Sequence, residues 1–129
     1  MKMQAKTAIN AAHFVQTDID GFQVITEPAV SHGGTGKYPP ATRLAVAALL
    51  NCSLTSVRYF LEAKGIPTDQ LALEFTGNIE DGIYTDMRFD LTLPEELPHI
   101  YHRAIEKILD TCSVKKIIKN LPEIELVLK

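Results

Sequence analysis

The sequence predicts an α+β domain, and three patterns carry the prediction. Apolar and polar residues alternate through Leu71, Leu73 and Phe75 and again through Met87, Phe89, Leu91 and Leu93, the period of half-buried strands. A helical stretch runs from about Ala41 to Ala63, between Pro39-Pro40 and Gly65-Ile66-Pro67. Tyr101, Ala104, Ile105, Ile108 and Leu109 then recur at helical spacing. At 129 residues, 46% apolar and 22% charged, the chain is sized for one domain, residues 1–129, with a single core, and it has no disordered composition.

Taken in order, residues 4–15 and Phe22 to Thr26 read as two strands of an N-terminal hairpin, turned by Asp18-Ile19-Asp20-Gly21. Ser31 to Pro40 holds Gly33, Gly34, Gly36, Pro39 and Pro40 and reads as a loop, with Glu27 a solvated carboxylate just ahead of it. Thr42 is the expected N-cap of the long helix. That helix is apolar on nearly all sides from Leu44 to Leu50, so it should be buried all round there and emerge into water by Arg58, Glu62 and Lys64. The strand pair turns around Asn78 to Gly82, and Pro94 ends it. A second helix is expected from Pro94 or Glu95 toward Asp110, with Cys112 continuing its apolar stripe. A short helix from Val114 to about Asn120 stops at Leu121-Pro122, and Ile124, Leu126 and Leu128 alternate as a last strand.

Thirteen basic and 16 acidic residues give a net charge of -3 with no dense positive block, which argues against a nucleic-acid partner. The nearly apolar run Leu44 to Leu50 is far shorter than the roughly 20 residues a bilayer requires, so no membrane partner is expected. Polar residues at Asn10, His13, Gln16 and Asp18 interrupt what would be a signal peptide's apolar region, and a cytoplasmic location is expected. Two cysteines are too few for a disulfide framework but enough for a redox pair.

Cys52 and Cys112 are the candidate chemical groups, and both are expected inside. Each is a small core residue on periodicity alone; the sharper reading is a thiol pair facing across packed helices. A peroxide-reducing cysteine must be a thiolate, and an apolar pocket disfavours that state, so a cationic or hydrogen-bonding neighbour is needed. Arg43, Arg58 and His32 are the near candidates in sequence. His99 and His102 sit at i, i+3 spacing, but no compact ligand cluster accompanies them, and no metal is expected. Gly33-Gly34-Thr35-Gly36 lacks the Lys-Ser/Thr ending of a phosphate loop.

The run Gly33-Gly34, then Tyr38-Pro39-Pro40-Ala41-Thr42-Arg43-Leu44-Ala45-Val46-Ala47-Ala48-Leu49-Leu50-Asn51-Cys52, resembles the glycine, proline and Leu-x-x-x-Ala-Leu-x-x-Cys signature of the osmotically induced protein C and organic hydroperoxide resistance (OsmC/Ohr) superfamily. Gly65, Leu93-Pro94 and Cys112-Ser113-Val114 resemble its C-terminal half, so the likeness covers roughly residues 27–129. It implies an α+β fold with antiparallel sheets wrapped around two central helices, an intertwined homodimer with thiol sites at the interface. It further implies a thiol peroxidase in which Cys52 attacks an organic hydroperoxide, Cys112 resolves the sulfenic acid, and an external dithiol reductant reopens the disulfide without a bound cofactor. No arginine precedes Arg43, and Ala41 and Thr42 follow Pro40, so the family's activating arginine and glutamate have no counterpart here. Arg43 and His32 are therefore the expected activating or site-lining residues. The alternative is a noncatalytic dimer that binds a small apolar or thiol-bearing ligand in the interfacial cleft.

Overall fold

The computed structural model describes residues 1–7 and 13–129. The chain forms two compact units, Met1–Ala47 and Ala48–Lys129, with the boundary inside helix α1 (Ala41–Ala63).

The N-terminal unit holds an antiparallel sheet in the order β1 (Met3–Thr7), β2 (Val15–Ile19), β3 (Phe22–Thr26). The expected two-stranded hairpin is thus three-stranded, and the expected first strand is divided between β1 and the start of β2. Residues 8–12 of that strand lie outside the described residues. The turn is also tighter than expected. Asp20 and Gly21 both take positive φ, 51° and 89°, which closes a two-residue turn and leaves Asp18 and Ile19 in the ladder opposite Gln23 and Phe22.

Glu27, expected in solvent, is buried at 3% exposure and pins the glycine loop. Its carboxylate accepts the Thr35 N–H, the Thr35 hydroxyl at 2.8 Å and the Tyr38 N–H at 3.0 Å. Gly34 must stay glycine for this packing, since a Cβ there would lie 1.8 Å from the Pro28 carbonyl oxygen. Burial pushes the Glu27 carboxyl up, but the Thr35, Tyr38 and Lys37 donors outweigh it and hold the group below its ordinary 4.5. A depressed carboxyl contributes stability that is fully present above its unfolded value and disappears as pH falls through the folded one. Glu27→Gln is therefore expected to lower the melting temperature at pH 7, with the gap to the native chain closing in thermal scans as pH falls below the carboxyl's ordinary 4.5. A gap independent of pH would contradict this.

Thr42 lies inside the first turn of α1 and is not its cap: the N–H groups of Arg43 and Leu44 donate to the Pro40 carbonyl at 3.0 and 3.3 Å. Proline's fixed φ lets the helix begin directly after it. The C-terminus forms a Schellman motif, in which the Ile66 N–H reaches the Leu61 carbonyl, the Gly65 N–H reaches Glu62, and Gly65 has φ 71°. The expected all-round burial from Leu44 to Leu50 does not occur, since only Val46 is buried there. By length and composition α1 could cross a bilayer, with mean hydropathy 1.5 over an 18-residue window, yet only 22% of that window is buried within this chain.

In the C-terminal unit, β4 (Ala72–Glu80) pairs antiparallel with β5 (Ile83–Thr92), Phe75 opposite Phe89. Asp81 and Gly82, both at positive φ, make the turn shorter and the strands longer than expected. Val57 and Leu61 of α1 pack with Leu97 and Ile105 as the buried core, flanked by Phe60, Ile66, Leu71, Leu91, Leu93, Tyr101, Ile108 and Leu109.

Helix α2 (His102–Asp110) begins well after Pro94, following a single 3-10 turn at His99–Tyr101. Pro98 is extended, at φ -60° and ψ 134°, and its ring disfavours helix at the residue before it, so Leu97 enters the core from a turn. Cys112 is accordingly not on the α2 stripe: it is the extended residue that caps α3 (Ser113–Lys119). The expected last strand does not form. Ile124, Leu126 and Leu128 alternate as a strand would, but no described strand pairs with them, and all three are exposed.

Candidate functional site

The two thiols meet in the C-terminal unit. On α1, Ser53, Val57 and Leu61 follow one another at four-residue spacing and form its buried stripe, so Cys52, one residue earlier, is turned off that stripe and is only half-buried. Cys112 is buried at 3% exposure because it caps α3 from the inside. Both are free thiols. The expectation that both lie inside holds for Cys112 and half-holds for Cys52.

Two donors converge on the Cys112 sulfur: the Ser53 hydroxyl donates at 3.6 Å and the Lys115 backbone N–H donates at 3.4 Å. Burial pushes the Cys112 thiol up, but the Ser53 hydroxyl, the Lys115 N–H, the Cys52 thiol and the Lys115 ammonium together draw it below its ordinary 9.0. Asp110 holds that ammonium at 2.8 Å, and its own carboxyl is lowered by the contact.

Beside this group lies a cavity of about 180 Å³ lined by Leu49, Ser53, Leu73, Phe89, Leu109 and Lys115. Four of its walls are apolar, and the two polar ones, Ser53 and Lys115, are those that touch the Cys112 sulfur. A small apolar molecule bound there would stand beside the thiol pair.

Arg43 and His32 are exposed in the N-terminal unit, and neither is among the donors to Cys112. The His32 ring nitrogen lies 3.0 Å from the Ser31 hydroxyl. His99 and His102 stack with ring centroids 4.8 Å apart at the exposed start of α2. Sequence reasoning passed over Ser53 and Lys115. Their signals were present: Ser53 opens the i, i+4 stripe to Val57, and Lys115 stands three residues after Cys112, the spacing at which a cap side chain meets a backbone N–H.

An α+β chain with two small antiparallel sheets and a dithiol beside an apolar cavity defines a class of thiol-bearing fold. Its residues 34–127 match the family model of OsmC-like protein, and the chain belongs to that family. Among solved structures it is similar to a Psychrobacter arcticus 273-4 protein described by osmotic stress induction and a detoxification response, at 20% identity and TM-score 0.74, covering 87% of this chain and 85% of that one. It is likewise similar to an OsmC like protein from Mycoplasma pneumoniae, at 16% identity and TM-score 0.70, covering 93% and 87%. No curated protein matches the chain.

Proposed function

We propose that the chain is a thiol-dependent peroxidase that reduces organic hydroperoxides with Cys52 as the attacking sulfur and Cys112 as the resolving one. The observation that carries this reading is that the half-buried Cys52 directly precedes Ser53, whose hydroxyl reaches the sulfur of the buried Cys112 at 3.6 Å. The more accessible sulfur meets the peroxide in the apolar cavity. Cys52 attacks the terminal peroxide oxygen, the O–O bond breaks, and Cys52 becomes a sulfenic acid while the alkoxide takes the thiol proton and leaves as the alcohol. The Cys112 thiolate then attacks the Cys52 sulfur. The S–O bond breaks, a disulfide forms, and hydroxide leaves with a proton as water. Two electrons from the thiols have reduced the peroxide, and an external dithiol, as the cytoplasm supplies, returns them by thiol–disulfide exchange at Cys52.

The same reading includes a homodimer. Helix α1 is only 22% buried over its most apolar window, and Leu126 and Leu128 lie open at the C-terminus, so a second copy would cover surface that the single chain leaves in water.

One experiment addresses both. After one equivalent of cumene hydroperoxide, denaturing non-reducing mass spectrometry should show the single-chain mass less two hydrogen atoms, and native mass spectrometry should show twice that mass. Two free thiols would refute the peroxidase, and a native mass of one chain would refute the dimer.

A further inference from the structure

The Cys112 sulfur is buried beside a largely apolar cavity, and the groups that face it differ in how long they last. Cys52 loses its S–H in the first chemical step, so its thiol no longer faces Cys112 as a donor once it is a sulfenic acid. The Ser53 hydroxyl at 3.6 Å and the Lys115 N–H at 3.4 Å remain. They remain at the stage where Cys112, at 3% exposure, has water excluded from it and must still act as an anion.

We infer that Ser53 and Lys115 are positioning residues whose donors favour the thiolate of Cys112 over its thiol, readying that sulfur to close the disulfide on Cys52 and to leave from it during reduction. The resolving part of this assignment rests on the peroxidase reading; the thiolate part does not.

The two steps ask the same thing of Cys112. In resolution it is the nucleophile, and only its ionised fraction reacts. In reduction the dithiol attacks the half-buried Cys52 sulfur, the S–S bond breaks, and the electron pair departs on Cys112, so the better its charge is held the faster it leaves. Burial alone would oppose both. Ser53 answers from α1, and Lys115 answers from α3 with its backbone N–H and its ammonium. The charged and titratable groups around the sulfur are thus Cys52 on α1, Lys115 on α3 and Asp110 at the end of α2, which fixes the Lys115 ammonium at 2.8 Å.

The test is a titration that requires no peroxide. In Cys52→Ala protein, Cys112 is the single thiol, and its thiolate absorbance can be followed against pH. Adding Ser53→Ala should move that titration to higher pH, and adding Lys115→Met should move it the same way by less. An unmoved titration in the Ser53→Ala protein overturns the inference. In the two-cysteine chain, quenched-flow measurement of disulfide closure after cumene hydroperoxide gives a second readout. Ser53→Ala should slow closure about threefold to fivefold near pH 6.5, because one hydrogen bond to an anion is lost while the more basic thiolate recovers part of the rate in nucleophilicity. Above the thiol's own titration the variant should be as fast as the native chain or faster. A fold merely damaged by the substitution would be slower at every pH, which would overturn the inference. If the titration shifts but the native chain never oxidises, the peroxidase reading fails and the placement of the thiolate stands.

Discussion

Cys52→Ser should cut steady-state reduction of cumene hydroperoxide in the presence of dithiothreitol by a factor on the order of a thousand or more, the loss expected when a nucleophile is removed outright. A hydroxyl is far harder to ionise than a thiol, and the donors that surround the pair point at the other sulfur. Cys112→Ser should behave differently. The first equivalent of peroxide is still consumed, because the attacking sulfur is intact and only half-buried. The oxidised product then has no resolving partner, so Cys52 should be trapped as a sulfenic acid, captured by dimedone, or carried on to the sulfinic acid by excess peroxide. Mass spectrometry separates these states. If Cys112→Ser instead blocks the first equivalent while Cys52→Ser leaves it, the order of the two sulfurs is the reverse of the one proposed.

Leu61→Ala carries the largest expected loss of stability. Leu61 is fully buried, packs with Val57, Leu97 and Ile105, and is the α1 residue whose carbonyl accepts the Ile66 N–H in the closing motif. Deleting its branched end in a site this enclosed should cost about 2–5 kcal/mol, read from urea unfolding as a shifted midpoint with an unchanged slope. The chain concentration must be held constant, because a dimer couples association to stability. Leu126→Ala, at 82% exposure, is the matching control and should stay within about 0.5 kcal/mol in the isolated chain. Near-equal effects at the two positions would contradict the core assignment.

Much of the chain could be read without coordinates, and the readable parts share a cause. Helix α1 runs from Ala41 to Ala63 as expected because its signals are local: Pro39-Pro40 before it and Gly65-Ile66-Pro67 after it. The hairpin of β4 and β5 follows from alternation, and the family is written in the residues around Cys52 and Cys112. Local rules also account for three of the misjudged edges. Asp20-Gly21 and Asp81-Gly82 need only two residues for a turn, and Pro98 delays α2, so attention to those dipeptides and to that proline would have moved the boundaries.

Other features depended on what meets what in three dimensions. Ile124, Leu126 and Leu128 have the alternation of a strand, but a strand is completed by a neighbour's N–H and C=O groups, and none of the described strands supplies them. Glu27 reads as a surface carboxylate until the loop folds Thr35 and Tyr38 onto it. Ser53 reads as a small polar interruption of an apolar helix, and its role appears only when Cys112, 59 residues later, is brought to its hydroxyl. The sequence by itself determined the extent of α1, the β4–β5 hairpin and the pair of thiols, because helix stops, turn geometry and periodicity act over a few residues. The tertiary structure alone decided which of the two sulfurs is buried and surrounded by donors, because that depends on how α1 packs against the cap of α3, a contact between distant stretches that no local pattern encodes.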